Sequence, residues 1–187
     1  MTKTGYLGDY SQLKEHDKYK CLMIQEVEGK NLADYKKFII DPVDIEFEPD
    51  SKAREADPEQ VEGIRQYFQE QLKEQLGKNY TIVEKPSLDV LRLRTAITDI
   101  VASKPYFNIH WATKLSRLGL GGASLEAELL DSLTNERVAA VIYSRQGRGI
   151  TKYLKGFSKW GYTKDSLLLW AEIFTKHLND RQGFKGK

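Results

Sequence analysis

A chain of 187 residues with 29 Lys and Arg against 27 Asp and Glu, 40% of it hydrophobic, has apolar material for one sizeable core. Its net charge of +2 excludes a whole-molecule pull toward nucleic acid or anionic membrane, so any such partner must be met by a local patch. The single cysteine excludes a disulfide scaffold, and the longest apolar run, Val138 to Tyr143, is far short of the ~20 residues that span a bilayer.

Residues 1–20 are polar, with Tyr6, Leu7, Tyr10 and Leu13 isolated among charges, and read as an N-terminal extension ahead of a single domain over 21–187. They contain no basic, apolar and small-residue succession of the kind that makes a secretory leader. Taken as written, the chain stays in the cytoplasm; taken as a mature protein without its leader, it is a secreted one. Cys21 to Val27 follows as a short strand, closed by Glu28-Gly29-Lys30-Asn31. From Phe38 to Phe47, the alternation of Val43, Ile45 and Phe47 with Asp44, Glu46 and Glu48 predicts a half-buried strand, ended by Pro49. The acids of that row, with Asp50, lie ~6.5–7 Å apart along a strand. That is too open for a calcium shell whose oxygens sit ~2.3–2.6 Å from the ion, and suits the solvated face of an edge strand.

Asp57-Pro58-Glu59-Gln60 reads as a helix start: an Asp cap, Pro at the first helical position, and Gln at the third to reach back to the cap. Val61, Ile64, Phe68, Leu72 and Leu76 then fall on one stripe, with Gly77 as the closing residue. Strands follow at Asn79 to Glu84 and Leu88 to Val101. In the second, Leu91, Leu93, Thr95 and Ile97 share one face, and Val90, Arg92, Arg94 and Ala96 the other, half-wet one. Ala123 to Leu130 and Val138 to Ser144 form a hairpin across Asp131 to Glu136, a turn rich in residues that bond their own backbone. Thr163 caps a last helix striped by Leu167, Trp170, Ala171, Phe174 and Leu178. The sum is an α+β fold: a mixed or antiparallel sheet of four to six strands, with two long helices packed on one face.

Catalytic and metal chemistry find little purchase. His16, His110 and His177 are far apart, without the spacing that sets two ligands on one helix face. Cys21 has no nearby His to activate it, and no Gly-x-Ser-x-Gly elbow is present. Gly119-Leu120-Gly121-Gly122 lacks the Gly-Lys-Ser/Thr ending of a phosphate loop and enters a strand, not a helix. The expectation is a chain that is not an enzyme, with no cofactor, no metal site and no catalytic residue.

One surface segment stands out. Between residues 145 and 164, Arg145, Arg148, Lys152, Lys155, Lys159 and Lys164 occur without a single acid, leaving the rest of the chain net acidic. Ile150, Tyr153, Leu154, Phe157 and Trp160 fall at helical spacing inside it, although Gly156 and Gly161 weaken a helix by ~1 kcal/mol each. Such a basic amphipathic stretch can lie on an anionic membrane or envelope partner, use its aromatics and cations on nucleic acid, or pack its stripe on the sheet and leave its lysines wet. The candidate partner-binding residues are Arg145, Arg148, Lys152, Lys155, Lys159 and Trp160, with Trp160 expected to be buried against the sheet.

The segments Gly5-Tyr6-Leu7-Gly8-Asp9-Tyr10-Ser11-Gln12-Leu13, Tyr35 to Val43, Asp89 to Arg94 and Gly121 to Ser132 together resemble a family of bacterial cell-envelope lipoproteins catalogued only as a domain of unknown function. The resemblance covers nearly the whole chain. It implies a lipidated cysteine just ahead of the Gly5 segment, so that Met1 to Thr4 stands in place of a leader, and a lipid-anchored, periplasm-facing location in the native protein. It carries no catalytic residues. Two functions follow as expectations: a non-catalytic envelope domain that binds an envelope protein or membrane surface, or a cytosolic nucleic-acid- or anion-binding protein working through residues 145–164.

Overall fold

The computed structural model describes residues 3–49, 51–102, 122–146 and 159–183. At its centre is an antiparallel meander of β6 (Val90–Val101), β7 (Gly122–Asp131) and β8 (Arg137–Gln146). On one side β8 pairs antiparallel with β2 (Leu22–Glu26), which pairs with β1 (Lys14–Glu15). On the other side, β6 pairs parallel with β3 (Lys37–Ile40) and β4 (Asp44–Ile45), and β3 pairs parallel with β5 (Thr81–Ile82). The order is β1-β2-β8-β7-β6-β3-β5, with β4 beside β6.

The sheet thus has eight strands, which corrects the expectation of four to six. The count rises because β1, two residues long and too short to show a period of two, is added and one expected strand divides; β5 keeps only Thr81–Ile82 of the strand expected over Asn79 to Glu84. The run from Phe38 to Phe47 is also not one strand. It divides between β3 and β4, where Pro42 has no N–H to give a ladder and the Val43 N–H is met by Gln69 Oε1 of the neighbouring helix at 2.8 Å.

Helix α1 (Pro58–Gly77) begins as its sequence reads: Asp57 accepts from the Glu59 N–H at 2.9 Å, with Pro58 in the first turn. Ile64, Phe68, Leu72 and Leu76 are buried along its stripe. Helix α2 (Gly161–Gln182) starts two residues before Thr163, behind Trp160, with no side-chain cap. Thr163 does not cap it; its hydroxyl donates to the Val101 carbonyl at 3.1 Å and ties the helix start to the end of β6. At the other end Gly183 takes a left-handed φ of 71°, which lets its N–H reach the Asn179 and Asp180 carbonyls.

Both helices lie on one face. Phe68 of α1 meets Trp170 of α2 edge-on, with centroids 5.6 Å apart, and Trp170 stacks on Phe174 at 4.9 Å. Beneath them the inward positions of the meander, among them Leu93, Ile97, Leu125 and Tyr143, complete the main core. The alternate positions face the other way, and there Leu7 and Leu13 of the N-terminal segment bury Ala140 and Ile142 in a second, smaller cluster. No described helix is long and apolar enough to cross a membrane.

Candidate functional site

Of the residues the sequence singles out, Arg148, Lys152 and Lys155 lie outside the described residues. Arg145 pairs with Ala123 near the end of the β7–β8 ladder, and its side chain is likewise outside the described set. Lys159 and Trp160 come together on the first turn of α1. The Lys159 ammonium and the Trp160 ring N–H both donate to Gln60 Oε1, at 3.0 and 2.8 Å, and the ammonium sits 5.1 Å from the indole centroid. Gln60 therefore holds the far segment in place of reaching back to its own helix cap. Trp160 is half-buried and packs against the main core.

Two of the histidines converge. The rings of His16 and His177 are 6.0 Å apart, and His177 Nε2 lies 2.8 Å from Glu26 Oε1, a carboxylate that also accepts from Arg181 at 3.0 Å. Among the described residues, no group of three or more His, Cys, Asp or Glu is placed to hold a metal ion. In the acidic row Asp44 and Glu46 are exposed, Glu48 is half-buried, and Asp50 lies outside the described residues.

The most connected polar assembly lies on the face of the sheet opposite the two described helices. Register places Arg94 of β6 opposite Glu128 of β7, and Ala96 opposite Glu126. Both glutamates are buried, Glu126 at 0% exposure and Glu128 at 5%, and burial obliges a carboxylate to find donors. Glu128 is bridged by two guanidiniums: Arg94 Nη1 at 2.7 Å, and Arg137 through Nε at 3.0 Å and Nη2 at 2.9 Å. Glu126 takes its donors from the N-terminal segment: the Thr4 N–H at 2.8 Å, the Thr4 hydroxyl at 3.1 Å and the Tyr10 hydroxyl at 2.6 Å. Arg137 extends the fastening, donating to the carbonyls of Asp9, at 3.0 Å, and Leu7.

The segment is shaped for this contact. Gly5 and Gly8 adopt φ of 100° and 69°, the left-handed region that suits glycine, and the Gly8 N–H closes the turn on the Gly5 carbonyl at 2.9 Å. Tyr10 folds back so that its hydroxyl also accepts from the Gly5 N–H at 2.8 Å. Tyr6 places its ring 5.2 Å beneath the Arg94 guanidinium and donates to Asp44 Oδ2 at 3.1 Å. Burial raises the phenol pKa of Tyr6, partly opposed by Arg94. Burial, and then the hydrogen bond to Glu126, raise that of Tyr10. Both phenols are thereby kept neutral and able to donate.

Beside the clasp the same face opens into a depression of about 570 Å³, lined by Asp41, Arg92, Arg94, Glu128, Asn135 and Arg137 over Leu130. Arg92 Nε donates to Asp41 Oδ1 at 3.1 Å, and its Nη1 lies 3.5 Å from Asn135 Oδ1. The hairpin turn on its rim is held by Asp131, which accepts from the N–H groups of Leu133 and Thr134 at 3.0 Å each. Those bonds, led by the one from Thr134, keep its carboxyl below the usual range.

Sequence reasoning passed over this assembly because the contacts that fasten the N-terminal segment join residues more than a hundred apart. The available signal was the pair of like charges at alternate positions in each of two largely apolar strands: Arg92 and Arg94, then Glu126 and Glu128.

A protein family described as "Protein of unknown function (DUF3313)" matches residues 2–174. The chain belongs to this family. No curated protein matches it. Among solved structures, the DUF3313 chain is similar to the PelC dodecamer from Paraburkholderia phytofirmans, with a TM-score of 0.46 and 12% identity over 80% of this chain and 93% of that one. It is also similar to a DUF4136 family protein from Bacteroides thetaiotaomicron, with a TM-score of 0.42 and 13% identity over 88% of this chain and 97% of that one.

Proposed function

We propose that this chain is the folded body of a lipid-anchored protein of the bacterial cell envelope that works by binding a partner and not by catalysis. The observation that carries the reading is the clasped N-terminal segment. The Gly5 to Leu13 stretch, part of the resemblance to envelope lipoproteins, is the stretch that the two buried glutamates and Arg137 fasten to the sheet. A free tether of that length would let the body wander by roughly 17 Å from its anchor. Fastened at Tyr10 and Asp9, the body instead keeps one face toward whatever surface the anchor enters. Glu126 and Glu128 act here as fasteners, each already saturated by donors of the fold.

Intact-mass analysis of the protein purified from its native host tests the proposal. The expected result is an acylated cysteine immediately ahead of the Gly5 segment. An unmodified mature N-terminus there would overturn it.

A further inference from the structure

The geometry points to an anion site in the depression on the face opposite the two described helices: Arg92 and Arg94 bind an oxyanion group, a carboxylate or a phosphate, carried by a ligand small enough to enter the basin. The two arginines stand at alternate positions of β6, on the same face and ~6.5–7 Å apart. Their side chains remain 36% and 40% exposed, inside a depression of about 570 Å³.

Each guanidinium offers five N–H donors in a fixed fork. Arg92 gives Nε to Asp41 and only a long Nη1 contact to Asn135, and Arg94 gives Nη1 to Glu128. Among the described residues, Nη2 of Arg92, and Nε and Nη2 of Arg94, meet no protein acceptor. Both forks are nevertheless held in place, Arg92 by Asp41 and Arg94 by Glu128 and the Tyr6 ring, so little side-chain freedom is left to lose when an anion arrives. Arg137 supplies chiefly charge, because four of its five N–H donors are taken by Glu128 and by the Leu7 and Asp9 carbonyls.

The balance of the lining favours an anion. Three arginines face Asp41 and Glu128, leaving one positive charge uncompensated. The rim acids Asp44 and Asp131 keep their negative charge, with oxygens engaged by the Tyr6 hydroxyl and by Tyr35 and the turn, so the preference for an anion rests on the unmet N–H donors of the two forks. Two forks side by side on one face suit a ligand with two oxyanion groups, as pyrophosphate has. This inference does not depend on where the protein resides.

Titration of the ¹⁵N-labelled chain with sodium pyrophosphate at constant ionic strength, followed by the arginine Nε–Hε resonances, tests the site. The expected result is saturable shifts at Arg92 and Arg94, with affinity falling about tenfold or more in Arg92→Gln. That variant leaves Glu128 its partners and so spares the fold. Arg94→Lys, which keeps the charge beside Glu128 but removes the fork, is expected to weaken binding comparably. Shifts that never saturate, or that persist unchanged in variants melting like the parent, would overturn the proposal.

Flotation with phosphatidylglycerol and phosphatidylcholine vesicles separates the sources of the anion. Binding to the former that Arg92→Gln abolishes assigns the oxyanion to a lipid headgroup. Saturable pyrophosphate binding without flotation assigns it to a free small anion. Neither response would contradict both.

Discussion

Tyr10→Phe removes one hydroxyl and almost no volume, so it isolates the fastening of the N-terminal segment from its packing. That hydroxyl donates to Glu126 at 2.6 Å and accepts from the Gly5 N–H at 2.8 Å. Gly5 is near solvent and its N–H can return to water at little cost. Glu126 cannot, being 0% exposed, and it keeps only the two donors of Thr4. A hydrogen bond to a charged acceptor contributes ~1.5–3 kcal/mol, so the variant is expected to destabilise the docked segment by about that much. With a urea dependence of ~1–3 kcal/mol per molar, the unfolding midpoint falls by about 1 M if the segment unfolds with the sheet. Where it opens locally instead, amide exchange at residues 5–11 quickens by roughly 10- to 150-fold. A Tyr10→Phe protein with both the midpoint and the exchange of the parent would refute the claim that the Glu126 contact fastens the segment.

Trp170→Ala, at a site 1% exposed between both helices and the sheet, is expected to cost ~3–5 kcal/mol, whereas half-buried Trp160→Ala should cost nearer ~2 kcal/mol; equal losses in thermal melts would contradict the placement of Trp160. Asp57→Ala removes the cap on the Glu59 N–H and should lower stability by ~1 kcal/mol, which a denaturant midpoint reads directly. Tyr35 is pushed up to about 12 by burial and its bond to Asp131, and Tyr80 to about 12 by burial. Because the folded form holds these protons above the ordinary tyrosine value of ~10, their contribution is intact below pH ~10 and is lost as pH rises toward 12. A tyrosine absorbance titration should therefore show a late group at about 12 or with unfolding. A single step near 10 with the fold intact would contradict it.

The parts of the fold that were legible in the sequence are those whose causes are local. Asp57-Pro58 starts α1, the stripe through Phe68 and Leu76 turns it toward the core, and Asp131 with Asn135, at a φ of 56°, makes the hairpin turn. The long β6 alternation separates Leu91 and Leu93 from Arg92 and Arg94 as read. Lys14–Glu15 becomes a strand only because β2 offers it a ladder, which no local pattern reports. Thr163 looks like a cap by composition, yet a tertiary acceptor, the Val101 carbonyl, takes its hydroxyl. The clasp was illegible for the same reason: Glu126 looks like any strand acid until Thr4 and Tyr10 are brought across the sheet to meet it. Of the basic segment, the sequence could name its charges but not that Gln60 gathers Lys159 and Trp160 onto α1.

Fractionation of the native host with antibody detection tests most directly the claim that this fold is the body of an anchored envelope protein. The account predicts recovery in the membrane fraction, released by detergent but not by high salt, because acyl chains hold by buried hydrocarbon and exposed ion pairs are screened beyond ~8 Å at physiological ionic strength. Recovery wholly in the soluble cytosolic fraction would contradict it.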